Sequence, residues 1–194
     1  MDKKNKVKYG LKNFKYAERT ETDTGVTYGT VKSNPGSVSI SLNSQASSDP
    51  FYADDGVYSE TETNSGYDGE LEFAELTDEF RKTILAEEEK NGVLVENANA
   101  KTKEFAAMFE FDGDQFKRRV VLWRVKVTKR PDISHSTKSD KPTPETVKVS
   151  VRVMPLETGE IKGVANYDES DTSNYAKWYD VVITPEDLNV TPSK

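Results

Sequence analysis

The stretch EFAAMFEFDGDQFKRRVVLWRVKV, residues 104–127, decides how this chain is read. Its first half places Phe105, Ala107, Phe109 and Phe111 at every second position, and its second half does the same with Val121, Trp123, Val125 and Val127. Successive side chains of a strand point to opposite faces, so a period of two marks strands with one buried and one wet face. Asp112-Gly113 separates the halves, and Asp-Gly suits the tight turn of a hairpin. An antiparallel hairpin is the expectation here.

The same period recurs in VKYGL (7–11), SVSISL (37–42) and VKVSVRV (147–153), and KWYDVVI (177–183) is a further strand candidate. NPGS (34–37), DDG (54–56), NSGYDG (64–69) and ETG (157–159) read as turns. LTDEFRKTILAEEEKNG (76–92) reads instead as a helix. Thr77 is its N-cap, Asp78 and Glu79 suit the positive end of its dipole, and Asn91-Gly92 is its stop. Leu76, Phe80 and Ile84 recur at spacing four and form its apolar stripe. The predicted fold class is therefore mainly β: a β-sandwich or barrel with one flanking α-helix, in a single domain over residues 1–194. Two polar stretches, NSQASSD (43–49) and RPDISHSTKSDKPTPE (130–145), are expected as long loops near 43–50 and 130–145.

With 194 residues the chain is long enough for one sizeable core. The absence of cysteine removes disulfides and thiolate metal sites. DKKNKVKYG after Met1 holds charge but no apolar run, so no signal peptide is expected. No run of eighteen apolar residues suggests a membrane span, and synthesis in a cytoplasm is the expectation. Net charge is −7 and unevenly spread. Residues 49–80 carry eleven acids and no base, residues 115–148 carry ten bases and three acids, and residues 1–12 carry five lysines and one aspartate. Opposite signs on separate surfaces suit head-to-tail association between copies.

No residue nominates itself for catalysis, so the chain reads as a non-enzyme with no cofactor and no metal. The one histidine, His135, lies in a polar stretch without a promised partner. FDGDQ (111–115) lacks the span of a calcium loop and reads as a turn. Neither GxxxxGK[ST] nor GxGxxG occurs. In FKRRVVLWRVKVTKR the parity puts Trp123 in the core and Arg118, Arg124 and Lys126 together on the other face, which reads as a wet face or a protein interface rather than a base-stacking platform. What remains is a strand-rich scaffold with segregated charge, the profile of an assembly subunit. A monomeric carbohydrate- or receptor-binding β-sandwich module of a tail fibre or adhesin is the alternative.

The chain resembles the major tail proteins of long, non-contractile-tailed phages, the subunits of the tail tube. The resemblance rests on an ordered set of blocks: KVKYGLKNFKYA, PGSVSISL, FYADDGVY, NSGYDGELEFAELTDEFRKTIL, GVLVE, FAAMFEFDGDQFKRRVVLWRVKV and HSTKSDKPTPETVKVSVRVMP. It implies a virion structural protein whose hexameric rings stack into a hollow tube. Such a tube conducts double-stranded DNA without binding it specifically, surrounds the tape-measure protein and meets tail completion proteins. DNA carries one negative charge per about 1.7 Å of axis, so a basic wall would hold it and an acidic wall lets it pass. On that reading residues 51–73 form a long acidic hairpin. Asp54, Asp55, Glu60, Glu62, Asp68, Glu70 and Glu72 face the lumen or the ring-to-ring contact, and Arg118, Arg124 and Lys126 serve contacts between subunits.

Overall fold

The computed structural model describes residues 10–23, 25–135, 137, 144–167 and 173–188. The protein is mainly β: 54% of the described residues are strand and 8% helix, in antiparallel sheets with a few short helices. The strands are β1 (Leu11–Thr22), β2 (Gly25–Tyr28), β3 (Lys32–Ser33), β4 (Ser37–Ala53), β5 (Gly56–Phe73), β6 (Glu88–Lys90), β7 (Val93–Val95), β8 (Glu104–Phe111), β9 (Arg119–Lys129), β10 (Val147–Val153) and β11 (Lys162–Ala165). The helices are α1 (Asp78–Thr83), α2 (Ser173–Lys177) and α3 (Pro185–Leu188). A nine-stranded sheet runs β2-β1-β8-β9-β10-β5-β4, with β3 on β1 and β11 on β9, and β6-β7 stand apart as a small hairpin. The arrangement agrees with a sandwich or partly closed barrel carrying little helix.

The main core lies on one side of the sheet. It joins Phe14 and Tyr16 of β1, Leu71 and Phe73 of β5, Phe105 and Phe109 of β8, Val125 of β9 and Val149, Val151 and Val153 of β10. Helix α1 plugs it with Phe80, whose ring meets Tyr16 at 4.9 Å and Phe105 at 5.8 Å, both edge to face. Thr77 caps α1 by accepting from the Phe80 N–H. Buried Asn34 fixes the approach to the helix, accepting from the Thr77 N–H and donating to the Glu75 carbonyl.

Several expectations need correction. β8 and β9 are buried on both faces, because Ala106, Met108, Val121 and Trp123 pack with Trp178, Val182 and Ile183 of the C-terminal segment in a second core. The shared face of Val121, Trp123, Val125 and Val127 does not exist. Phe105 pairs with Val125 and Ala107 with Leu122, so one extra β9 residue lies between them. That bulge turns Val125 and Val127 to the main core with Leu122 and leaves Val121 and Trp123 on the second. KWYDVVI is no strand but the end of α2, a turn and an extended tail. The long helix stops at Thr83, since Ala86 takes a φ of 56°, and Asn91-Gly92 becomes the turn between β6 and β7.

NSGYDG lies inside β5 and residues 43–50 lie inside β4, so neither is a loop. In the 130–145 stretch the described residues hold no helix or strand; residues 136 and 138–143 lie outside the described set. So do residues 7–9 of VKYGL, and β1 starts at Leu11.

Candidate functional site: a projecting acidic arm

β4 and β5 form one long hairpin that is only half absorbed by the sheet. β5 pairs with β10 from Tyr67 to Phe73, whereas its pairing with β4 continues to Gly56. Residues 44–65 therefore leave the body as a two-stranded arm, and nearly all of them are exposed. The exit is built by two glycines. Gly66 takes a φ of 105°, and a Cβ there would sit 2.0 Å from the Val153 carbonyl oxygen. At Gly69 a Cβ would sit 1.9 Å from the Ser41 carbonyl oxygen. Asn64 Oδ1 accepts from the Gly66 N–H and fixes the bend.

The acidic residues fall into three groups. Asp54 and Asp55 form the turn at the arm's tip, with φ of 50° and 60°, followed by Gly56. Such left-handed pairs match the twist of a two-residue hairpin loop. Glu60 and Glu62 lie on the arm opposite Pro50 and Ser48. Asp68, Glu70 and Glu72 lie on the outer face of the sheet, where β10 supplies partners. Arg152 holds Asp68 through two bonds of 2.6 and 2.9 Å, Lys148 lies 3.8 Å from Glu70, and Thr146 and Ser39 donate to Glu72 at 2.6 and 2.7 Å. Arg152 holds the Asp68 carboxyl below its ordinary range, and the Thr146 and Ser39 hydroxyls do the same for Glu72.

All seven had one surface assigned to them, and the structure divides them. Ser44 pairs with Tyr67 but Ala46 with Asn64, so β5 carries one extra residue at the exit. The extra residue reverses parity: Glu60 and Glu62 continue the side of the ribbon that carries Tyr67 and Leu71, away from Asp68, Glu70 and Glu72. Asp49, Asp54, Asp55, Glu60 and Glu62 form no ion pair among the described residues, in contrast to Asp68 and Glu70.

The tip is apolar as well as acidic. Phe51 and Tyr58 are 62% and 74% exposed, their rings meeting edge to face at 6.4 Å, and Tyr52 and Val57 are exposed beside them. Four large apolar side chains at the end of a projecting ribbon have no core to join, which is the property of a contact surface. β4 is also the last strand in the sheet order, so its outer backbone edge is open along the arm.

Of the three basic residues, Arg118 stands apart, while Arg124 and Lys126 lie two positions apart on β9, on the face opposite Val125 and Val127. Arg118 precedes β9 and grips Asp114 with two bonds of 2.7 and 3.0 Å, which holds the β8–β9 connection. Arg124 donates to Glu104 and Glu157, both at 2.9 Å. Only Lys126, exposed on β9, has no carboxylate partner among the described residues. The composition hid the buried Arg19, whose guanidinium bonds Glu104 and Glu157 at 2.9–3.0 Å and Glu21 at 3.4 Å and completes a five-residue ion cluster with Arg124. A stack of Arg119 against Tyr175 and Tyr179, at 3.9 and 4.6 Å, fastens α2 to β9. Neither left a motif in the sequence.

No helix among the described residues is long and apolar enough to cross a membrane. No family model matches the chain, and no curated protein shows significant similarity to it.

Proposed function

We propose that the chain is a self-assembling structural subunit, of the kind that builds the tail tube of long non-contractile phage tails. The observation that carries this reading is the arm: a folded body projects an acidic ribbon with an exposed aromatic tip and an open strand edge, all features that a neighbouring copy would cover. Strand edges and apolar tips left in water invite pairing, and contacts between unlike surfaces of identical chains close into rings or extend as filaments. In this proposal rings of six stack into a tube that passes double-stranded DNA, with unpaired carboxylates along the arm keeping the duplex from adhering. Asp68 and Glu70, paired with Arg152 and Lys148, contribute less net charge to such a wall than Asp54, Asp55, Glu60 and Glu62.

Electron microscopy of negatively stained, concentrated protein tests the proposal. Tubes or six-fold rings are expected. A chain that stays monomeric and binds glycans on an array belongs instead to a receptor-binding module.

A further inference from the structure

The five unpaired carboxylates of the arm raise the question of their counter-charge. Five arginines of the body are already committed: Arg19 and Arg124 to Glu104 and Glu157, Arg118 to Asp114, Arg119 to Glu110, Arg152 to Asp68. The densest group of bases near an end of the sequence is residues 1–9, with Lys3, Lys4, Lys6 and Lys8 against Asp2 alone. We propose that this basic segment of one copy docks along the acidic β4–β5 arm of a second copy, an inference that rests on the self-assembly reading above and names the contact that drives it.

Three features support the match. Charge is complementary: the arm from residue 44 to 65 holds Asp49, Asp54, Asp55, Glu60 and Glu62 and no base. Length agrees: nine extended residues reach about 30 Å, and the arm's eight cross-strand pairs, from Ala46–Asn64 to Ala53–Gly56, span roughly 27 Å. Pattern agrees too: Lys6 and Lys8 alternate with Val7 and Tyr9, so a segment added to the open β4 edge turns lysines to one side and apolar groups to the other. Gly10, where the segment joins the body, accepts from the Asp112 N–H at 2.7 Å, and β1 lies against β4 as well as β8, so the coupling readout below separates docking within a chain from docking between copies.

Charge reversal tests the contact. One variant carries Lys3→Glu, Lys4→Glu, Lys6→Glu and Lys8→Glu; the other carries Asp54→Lys, Asp55→Lys, Glu60→Lys and Glu62→Lys. The second set changes exposed side chains outside both cores, and circular dichroism verifies the fold of each variant. Each alone is expected to raise the concentration needed for polymer by at least roughly tenfold, and an equimolar mixture to restore it, because each segment then finds an arm of opposite sign. In wild-type polymer, carbodiimide coupling of mixed isotope-labelled and unlabelled chains is expected to join residues 1–9 to residues 49–62 between chains. Wild-type polymer with both variants assembling normally overturns this contact and leaves the assembly reading standing. Couplings found only within one chain also overturn it, and a wild-type chain that never polymerises overturns both.

Discussion

Asp114 shows how much one side chain decides. Its carboxylate accepts from the Phe116 and Arg118 N–H groups and from two nitrogens of the Arg118 guanidinium, and it is almost fully buried. Arg118, aided by the two backbone donors, pulls its pKa down to about 2 despite that burial. A carboxyl depressed on folding adds stability that is present above its ordinary value near 4 and is lost as pH falls through about 2. The shift corresponds to about 2 kcal/mol. Urea denaturation as a function of pH should show Asp114→Asn weaker than wild type by that amount at pH 7, with the gap closing by pH 2. Arg19 acts at the same scale. Its side chain is 1% exposed and ties β1 to Glu104 of β8 and to Glu157 after β10. Arg19→Met should cost about 3 kcal/mol in the same assay, because Arg124 alone then faces both carboxylates and one negative charge is left uncompensated.

At the scale of elements, α1 and the arm exit set the shape. Phe80 is fully buried against Tyr16, Phe73 and Phe105, so Phe80→Ala should lower stability by about 3–5 kcal/mol, read from the denaturation midpoint. Gly66→Ala should cost more than about 1 kcal/mol, since its φ disfavours any side chain and the Val153 carbonyl occupies the space. A midpoint unchanged in Gly66→Ala would show that the exit is not fixed as described.

Elements that keep period two without interruption were legible in the sequence. Val147, Val149, Val151 and Val153 alternate along β10 and all reach the main core. Thr77 and the stripe Leu76, Phe80 and Ile84 also stand where spacing puts them, buried or capping. Bulges erased the rest, because a single extra residue leaves no trace in composition yet reverses every later side chain. One at Trp123–Arg124 split a valine face between two cores, and one near Gly66 split the acidic face between two sides of the arm. AEEEKNG holds good helix formers, but Ile84 and Leu85 are drawn into the core and Ala86 breaks the backbone path. In KWYDVVI the apolar residues reach the second core from a turn, which a short apolar run cannot distinguish from a strand. Of the site, the acidic run was legible as charge; residues 51–73 do not form a hairpin of their own but the tip and the single strand β5, because β5 pairs with β4 over residues 37–53. Which of its carboxylates pair within the chain depended on cross-strand register with β10.

At the scale of the whole molecule, body and arm differ in how complete they are. Two cores, one on each face of β8 and β9, make the body self-sufficient, while the arm carries exposed aromatic groups, unpaired charge and an open edge into solvent. Exposed ion pairs are screened over about 8 Å at physiological salt, so assembly driven by the arm should weaken as salt rises and persist in part through the aromatic tip. Changing Phe51, Tyr52 and Tyr58 together to Ser should leave the midpoint of unfolding within about 0.5 kcal/mol of wild type, because these side chains lie outside both cores. The same change should abolish polymer in sedimentation, and polymer at wild-type yield would remove the tip from the contact.

The most direct measurement is sedimentation velocity of the pure chain across a wide range of concentration at low and physiological salt, with electron microscopy of the same samples. Self-assembly through the arm predicts a concentration-dependent passage from monomer to rings or tubes, stronger at low salt. A single monomer boundary at every concentration and salt would contradict it.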